Sequence, residues 1–275
     1  MRRLAKTAAG WQVTDGEATG ALPPGTTLGS LLALSAKEFG ETIAAVALRP
    51  GKPGEVRAPV DDDTEVWAAG VTYEVSREAR VEESGDADVY ARVYDAERPE
   101  LFFKSIGWRV RGPGEPIGVR QDSAWDVPEP ELALVCTASG EIAGYTIVND
   151  VSSRSIEGEN PLYLPQAKTY RGSCAAGPWI VPAGEIPDPH ALAIAVSIRR
   201  AGEPRWAGQT TTARLHRRLA DLVAWLYRGD DFPRGAVLAT GTSAVPGPDV
   251  TLAADDEVTI EIEGIGTLRN PVRRG

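Results

Sequence analysis

Short β-rich runs separated by turns dominate the chain from residue 66 onward, and this pattern constrains the fold more than any other. Residues 132–135, 145–148, 179–181 and 258–262 are such runs, with Gly and Pro between them. They follow one another as hairpins rather than alternating with helices, which favours a mixed, largely antiparallel, β-rich α+β fold. A doubly wound dinucleotide-binding sheet and an eight-stranded α/β barrel are therefore disfavoured.

The clearest local element is a β-hairpin. Two strand runs, at residues 132–137 and 142–148, flank a compact turn at residues 138–140, which is the sequence pattern of two paired strands. If the pairing is centred near residue 139, the register of the whole hairpin is fixed, because side chains alternate between the two faces with a period of two.

This register brings three carboxylates together. Glu129 lies opposite a residue near Asp150, and Glu131 points to the same face two residues along. Neighbouring carboxylates repel one another, and a divalent cation would remove that conflict. Ligands that are all oxygen favour Mg²⁺, with Mn²⁺ or Ca²⁺ as alternatives. The other interpretation is that Glu-x-Glu is only the solvent face of an edge strand.

Charge and histidine content limit the partners and the chemistry. The chain has 29 Lys and Arg against 39 Asp and Glu, a net charge of −10, so nucleic acid is not an expected partner. His190 and His216 are the only histidines, which disfavours histidine-built zinc sites and Ser-His-Asp triads.

The location and domain organisation follow from simple features. Two cysteines, no signal peptide and no apolar run of about 20 residues indicate a cytoplasmic protein without a membrane partner. Pro/Gly-rich and acidic residues at 50–63 suggest a linker. We therefore expect a small N-terminal domain over residues 1–60 and a second, catalytic domain over residues 61–275.

Apolar spacing predicts a few helices. Residues 75–84 and 87–97 form amphipathic patterns, and residues 212–228 place leucines on one face at helical spacing. In the N-terminal region, the pattern predicts a short helix near residues 28–34 and a strand over residues 43–48.

Longer motifs resemble one known family. Residues 70–80, 100–135, 149–181 and 239–272 resemble the fumarylacetoacetate hydrolase superfamily in one consistent order, over roughly residues 65–272. The segments VPEPELALV and SSRSIEGENPLYLPQAK are similar to its 2-keto-3-deoxy-pentonate dehydratase branch, of arabinonate or xylonate type. The resemblance implies the family's β-sandwich or roll with a few peripheral helices, and a homodimer.

The resemblance also implies roles for single residues. It identifies Glu129, Glu131 and Asp150 as metal ligands, in agreement with the hairpin register. It places Lys168 beside the metal, where we expect this lysine to shuttle protons; the alternative is a purely electrostatic role. The residues expected to bind substrate are Tyr73, Arg77, Lys104, Gln166 and Thr242.

Two of these expectations depend on local structure. Gln166 should share the direction of Lys168 if this segment is extended. Arg77 belongs to a Ser-Arg-x-x-Arg motif that offers cations to a substrate carboxylate, although pairing with glutamates on the same helix is an equally simple explanation.

The expected reaction follows from the resemblance. It implies a Mg²⁺-dependent lyase that dehydrates a 2-keto-3-deoxy sugar acid, a pentonate, to a 2,5-dioxo acid through a metal-stabilised enolate. Hydrolases of the superfamily read G-x-N-Y-x-x-H-x-x-E, whereas Ser76 and Ala79 replace the His and Glu here. The alternatives are an acylpyruvate or fumarylacetoacetate-type C–C hydrolase, an oxaloacetate decarboxylase, and a catalytically silent module that binds metal or sugar acid.

Overall fold

The computed structural model describes residues 1–74 and 92–274, and most of this part of the chain is β-structure. Its strands are β1 (Arg3–Thr7), β2 (Gly10–Thr14), β3 (Ala18–Ala21), β4 (Arg49–Pro50), β5 (Val56–Arg57), β6 (Glu65–Gly70), β7 (Glu100–Ile106), β8 (Ile117–Val119), β9 (Asp126–Val127), β10 (Pro130–Cys136), β11 (Ile142–Asp150), β12 (Ser152–Ser153), β13 (Cys174–Pro182), β14 (Ala193–Arg200), β15 (Glu203–Thr211), β16 (Ala236–Ala239), β17 (Asp256–Ile262) and β18 (Gly266–Arg274). The α-helices of the same ranges are α1 (Leu28–Leu32), α2 (Ala36–Ala45), α3 (Arg154–Glu159), α4 (Leu164–Lys168) and α5 (Leu219–Leu226).

Two large sheets organise these strands. The larger has the order β4-β3-β2-β1-β13-β11-β10-β16-β6-β7, with β5 beside β1, and the smaller has the order β15-β14-β17-β18-β8. Neighbouring strands run antiparallel except for the pairs β16–β6 and β18–β8. The predicted mixed, largely antiparallel β-rich fold is therefore confirmed.

The large sheet is covered on both faces, and strand β10 shows why its sequence is a continuous apolar run. Leu132 and Leu134 pack into one core with residues of the smaller sheet such as Val196. Ala133 and Val135 point the other way, into a second core. A strand buried on both faces needs apolar residues along most of its length. Residues 132–136 of β10 supply them, and Glu131 near its start is the buried exception.

The predicted hairpin register is confirmed. Strand β10 pairs with β11 so that Pro130 lies opposite Asn149 and Glu131 opposite Val148. The pair before them is Glu129 and Asp150, whose backbone N–H donates to the Glu129 carbonyl at 3.0 Å.

The predicted helix over residues 212–228 is wrong in its first half. Residues Thr212–Arg214 form one 3₁₀ turn, and α5 begins only at Leu219. Leu215 instead forms a β-bridge with Tyr73, and the His216 N–H donates to the Thr72 carbonyl at 2.9 Å. Pairing with a distant segment therefore overrides the local helical spacing. The side chain of His216 is exposed and stacks on Tyr94.

The N-terminal region differs from expectation in one element. Residues 43–45 end helix α2, so the predicted strand over residues 43–48 is wrong. This helix begins with a capping box, in which the side chains of Ser35 and Glu38 each accept a hydrogen bond from the other's backbone N–H. The box stabilises the helix, although β-branched residues later in it have a lower helix propensity. The predicted short helix near residues 28–34 corresponds to α1.

Other sequence-based expectations have no direct structural test. The helix predicted over residues 75–84 and most of the one over 87–97 lie outside the described residues, although residues 92–95 are helical. Strand β1 pairs with β13, so the first sixty residues share a sheet with the rest, and the division at residue 60 stays a prediction. Among the described residues, none of the helices has both the length and the apolar character needed to span a bilayer.

Candidate active site

Three carboxylates meet at the end of the central hairpin. Each of Glu129, Glu131 and Asp150 offers an oxygen, and these oxygens lie within 4.8 Å of one another. All three side chains are buried. The backbone pairing of β10 and β11 positions them, because it aligns residues 129 and 150 across the two strands. The predicted convergence is confirmed.

The protein itself supplies part of the counter-charge. Lys168 Nζ lies 2.8 Å from Glu129 Oε2 and 3.1 Å from Asp150 Oδ2. Arg154 pairs with the other Glu129 oxygen at 2.9 Å, and Lys104 forms an ion pair with Asp150. We expected a cation alone to offset the repulsion among the three carboxylates. Three buried basic side chains offset part of it instead.

Glu131 is the carboxylate that this arrangement leaves least compensated. The Gly241 N–H donates to its Oε2 at 2.6 Å, and no Lys or Arg of residues 1–74 or 92–274 forms an ion pair with it. Burial raises the pKa of Glu131 well above its usual range, and the charges of Asp150 and Glu129 add to this effect. A hard divalent cation fits this set of oxygens, because it would stabilise the ionised form of Glu131.

A glycine turn delivers the backbone contact to Glu131. Gly241 has a φ of +91°, and a Cβ there would lie 2.0 Å from Thr72 Oγ1. This hydroxyl donates to the Thr240 carbonyl at 2.6 Å. Only glycine is compatible with both the positive φ and the close approach, so the middle residue of the Thr-Gly-Thr sequence must be glycine.

A small cleft opens onto the three carboxylates. Lys168 lies in its wall, with its ammonium 5.5 Å from the centre of the Phe102 ring. Two further acidic side chains, the half-buried Glu100 and the buried Glu157, also line this cleft. The cleft thus combines an oxygen-rich cation site, a buried lysine and additional carboxyl groups, which is the set needed for acid–base chemistry.

Two of the residues predicted to bind substrate lie at or behind this cleft. Thr242 lines it directly. Lys104 is fully buried, and besides Asp150 its ammonium contacts the backbone carbonyls of Val151 and Lys168. Lys104 therefore supports the carboxylates from the protein side, and this placement does not favour the predicted contact with substrate.

The other predicted residues are placed differently. The extended segment expected at Gln166 is wrong, because residues Leu164–Lys168 form helix α4. Residues two apart in a helix point to different sides, so Lys168 is buried while Gln166 is exposed. Arg77 lies outside the described residues. The substrate-binding roles of Gln166 and Arg77 stay predictions.

Tyr73 is more deeply buried than we expect of a residue that contacts substrate. Only 1% of it is exposed, and its hydroxyl has no hydrogen-bond partner in the part of the chain that the structure describes. Burial raises the pKa of Tyr73, with a smaller contribution from the charge of Glu131. The phenol is therefore neutral, and it lies within the electrostatic reach of the carboxylate cluster.

Sequence reasoning missed Glu100, Arg154 and Glu157. The signal for the last two was available, because residues three apart on a helix share one face, and α3 begins at Arg154, four residues after the predicted ligand Asp150. Glu100 lies at the start of β7, and its proximity to the cleft arises from the pairing of distant strands.

Comparisons with known proteins agree with this geometry. Residues 65–273 match the model for the fumarylacetoacetate (FAA) hydrolase C-terminal family. A probable 2-keto-3-deoxyxylonate dehydratase of Haloferax volcanii is 53% identical over 214 residues, which is 78% of this chain and 73% of the relative.

Two further similarities involve the same class of enzyme. The 2-dehydro-3-deoxy-D-arabinonate dehydratase of Saccharolobus solfataricus is 46% identical over 217 residues, 78% of this chain and 73% of that protein. A solved structure of 2-keto-3-deoxy-D-arabinonate dehydratase complexed with magnesium and 2,5-dioxopentanoate superposes with a TM-score of 0.84 at 36% identity, covering 100% of this chain and 98% of that one.

Proposed function

Because this chain belongs to the fumarylacetoacetate hydrolase family, we propose that it is a Mg²⁺-dependent dehydratase of a 2-keto-3-deoxy pentonate. The observation that carries the proposal is the buried cluster of Glu129, Glu131 and Asp150 with Lys168 in contact. It is supported by the relatives at 46–53% identity, whose names describe dehydratases of this substrate class.

Glu129, Glu131 and Asp150 would hold the cation. Their oxygens suit Mg²⁺ or another hard ion such as Mn²⁺ or Ca²⁺, and the similar solved structure contains magnesium. When bound, Mg²⁺ supplies Lewis-acid polarisation of a 2-oxo acid, which makes the neighbouring C3–H more acidic.

Lys168 is the proposed proton shuttle. Its Nζ is held by two carboxylates and by Ser152 Oγ at 2.6 Å, and only 2% of the residue is exposed. These contacts fix the side chain at the edge of the cleft. In its deprotonated form the amine could take the C3 proton of a bound substrate, and the ammonium form so produced could return a proton to the product. Fixed position is the main requirement for efficient proton transfer.

Carboxyl groups beyond the three ligands would complete the elimination. Glu157 or Glu100 can protonate the 4-hydroxyl, so that the C4–O bond breaks and one water molecule leaves. The immediate product is a 2-oxo-3-enoate with its double bond between C3 and C4. Loss of a C5 proton and return of a proton at C3 give the enol at C4–C5, and protonation at C4 with loss of the enol O–H proton then gives the aldehyde of 2,5-dioxopentanoate. We assign this role to Glu157 in preference, because it lines the cleft and is the more buried of the two.

The substrate carboxylate and hydroxyls would contact polar groups around the cleft. Thr242 and the guanidinium of Arg154 both line it. The other predicted contacts are Tyr73, Arg77, Lys104 and Gln166. Of these, Lys104 supports the ligand Asp150 instead.

A hydrolase of the same scaffold is the second candidate. Hydrolysis of a C–C bond needs a base that activates water, and the sequence has Ser76 and Ala79 where the family's hydrolases carry His and Glu. An oxaloacetate decarboxylase would not need this pair, so the substrate panel of the test must include oxaloacetate.

The test is product identification with metal-free enzyme, with and without added Mg²⁺. We expect 2-keto-3-deoxyarabinonate or 2-keto-3-deoxyxylonate to lose one water and give 2,5-dioxopentanoate only when Mg²⁺ is present. Robust turnover of acylpyruvate or oxaloacetate instead would favour the second candidate. Calorimetric Mg²⁺ binding without turnover of any 2-oxo acid would indicate a silent binding module.

Assembly and location belong to the same proposal. A homodimer is supported by the outer face of β14 and β15 in the smaller sheet, which carries the small side chains of Ala195, Ser197 and Ala207. Light scattering tests the dimer.

A cytoplasmic location is supported by the two free, buried thiols of Cys136 and Cys174, which suit a reducing compartment.

A further inference from the structure

Four arginines line one cleft that lies apart from the active site. The cleft has a volume of about 170 Å³ and its walls carry Arg111, Arg171, Arg273 and Arg274, together with Pro116, Ile117, Gly118 and Gly172. None of these residues lines the active-site cleft. In a chain with a net charge of −10, such a concentration of positive charge needs an explanation.

A contact between two glycines builds the floor of this arginine cleft. The Gly118 N–H donates to the Gly172 carbonyl at 2.9 Å. A Cβ on Gly118 would lie 2.2 Å from the Arg171 carbonyl oxygen, and one on Gly172 would lie 2.5 Å from the Gly118 nitrogen. The absence of side chains therefore lets the two backbones touch. Since Arg273 pairs with Gly118 across β18 and β8, Arg171 and Arg273 both lie beside this glycine.

The four guanidinium groups have little protein counter-charge, although Arg274 lies near enough to Asp126 for its charge to oppose the rise in the pKa of that carboxyl group. In residues 1–74 and 92–274, no carboxylate forms an ion pair with any of them, and Arg111 Nε is buried without a hydrogen-bond partner. The contrast with the nearby Arg120, which is paired with Asp122 at 2.5 Å, shows that this surface does not lack acids in general. Arg274 donates to the Gln121 carbonyl at 3.3 Å, a neutral contact.

Like charges that line one cleft repel one another. Arg171, Arg273 and Arg274 are exposed and Arg111 is half-buried, so water screens only part of this repulsion. An anion would remove the repulsion and satisfy the buried Arg111 donor. All four basic residues are Arg and none is Lys, which suits an oxyanion, because the planar guanidinium donates two parallel hydrogen bonds to phosphate or carboxylate oxygens.

We propose that the arginine cleft is a binding site for a phosphate group, either as inorganic phosphate or as the phosphate of a small metabolite. A dianion matches a cleft lined by four cations better than a single carboxylate does, and three or four oxygens can serve several guanidinium groups at once. The site is distinct from the carboxylate cluster, which repels anions when no cation is bound. It gives the protein a second, independent ligand.

Calorimetric titration of metal-free protein tests the proposal, with EDTA present and ionic strength held constant with NaCl. Three probes are used: inorganic phosphate, glycerol 3-phosphate and malonate. We expect saturable phosphate binding that weakens at least about tenfold in Arg273→Gln and in Arg111→Gln. The matched control is Arg49→Gln, which removes an exposed arginine on β4 and should leave the affinity unchanged.

The measured affinities distinguish free phosphate from an esterified metabolite, and phosphate from other anions. Tighter binding of glycerol 3-phosphate than of inorganic phosphate identifies an esterified metabolite, and the reverse order identifies the free ion. Equal phosphate affinity in wild type and both cleft variants overturns the proposal, as does phosphate binding no stronger than chloride. Selective malonate binding would also contradict it, because the site would then recognise dicarboxylates.

Discussion

Lys168 Nζ lies 2.8 Å from Glu129 Oε2, so a lysine on a short helix is ion-paired with a carboxylate that lies 39 residues earlier in the chain. The same ammonium reaches Asp150 at 3.1 Å. Both carboxylates are proposed metal ligands. The lysine therefore holds its proton directly beside the place where a bound 2-oxo acid would be activated.

Replacing Lys168 should separate catalysis from metal binding. We expect Lys168→Gln to lower kcat by about 10²–10⁴-fold, because proton transfer by a positioned side chain contributes about this much. Mg²⁺ affinity should stay the same or rise, since a competing positive charge is removed. Steady-state kinetics and calorimetry measure the two effects, with Lys37→Gln as an exposed control. An unchanged kcat with weaker Mg²⁺ binding would indicate a purely electrostatic role.

Glu131→Gln should weaken Mg²⁺ binding at least about tenfold. Its carboxylate has no ion-pair partner among the described residues, so it depends most on the cation. In EDTA, the variant should be as stable as the wild type or more stable, because burying this charge is unfavourable. Calorimetry and urea unfolding are the measurements. Glu41→Gln, on the exposed face of α2, is the control, and equal Mg²⁺ affinity in both variants would contradict the assignment.

Lys104→Met should destabilise the protein rather than affect substrate affinity alone. Removing one member of a buried ion pair leaves Asp150 with less compensation, at a cost of about 3–5 kcal/mol. Urea unfolding in EDTA should show this loss, and added Mg²⁺ should restore part of it. Lys37→Met serves as the control. A variant of normal stability with a raised KM would instead support the direct substrate contact predicted from the sequence.

The hairpin register and the cleft residues show what the sequence can predict. Glu129 and Asp150 could be paired because the turn, the two strands and the alternation of side chains are all local. Lys104 could not be placed, since its burial against Asp150 depends on strands that are distant along the chain.

Helices were predicted less well for a related reason. The leucine spacing before Leu219 is helical, yet the backbone of residues 215 and 216 pairs with residues 72 and 73. The direction of Gln166 was wrong because a five-residue helix carries too little periodic signal to be distinguished from an extended segment. In both cases, contacts from elsewhere in the fold decide between two acceptable local structures.

Asp126 should make stability depend on pH. Burial raises the pKa of its carboxyl group to about 6, against smaller opposing effects of Ser123 and Arg120. In the unfolded chain the pKa is about 3.9. The stabilising contribution of protonated Asp126 is therefore complete below pH about 4 and is lost as the pH rises through about 6.

Asp126→Asn should remove the loss of stability that occurs as the pH rises. Relative to wild type, the free energy of unfolding of the variant should increase by about 1–3 kcal/mol between pH 4 and pH 7. Urea unfolding at the two pH values measures the change, and Asp122→Asn on the exposed surface is the control. A difference between variant and wild type that is the same at both pH values would show that Asp126 titrates normally.

The central claim is that the carboxylate cluster and Lys168 dehydrate a 2-keto-3-deoxy pentonate. The most direct measurement is the product formed from 2-keto-3-deoxyarabinonate by metal-free enzyme after Mg²⁺ is added, identified by mass spectrometry. The account predicts 2,5-dioxopentanoate from the wild type, and at least about 10²-fold less from Lys168→Gln. No product from this substrate or from its xylonate counterpart, with Mg²⁺ bound, would contradict it.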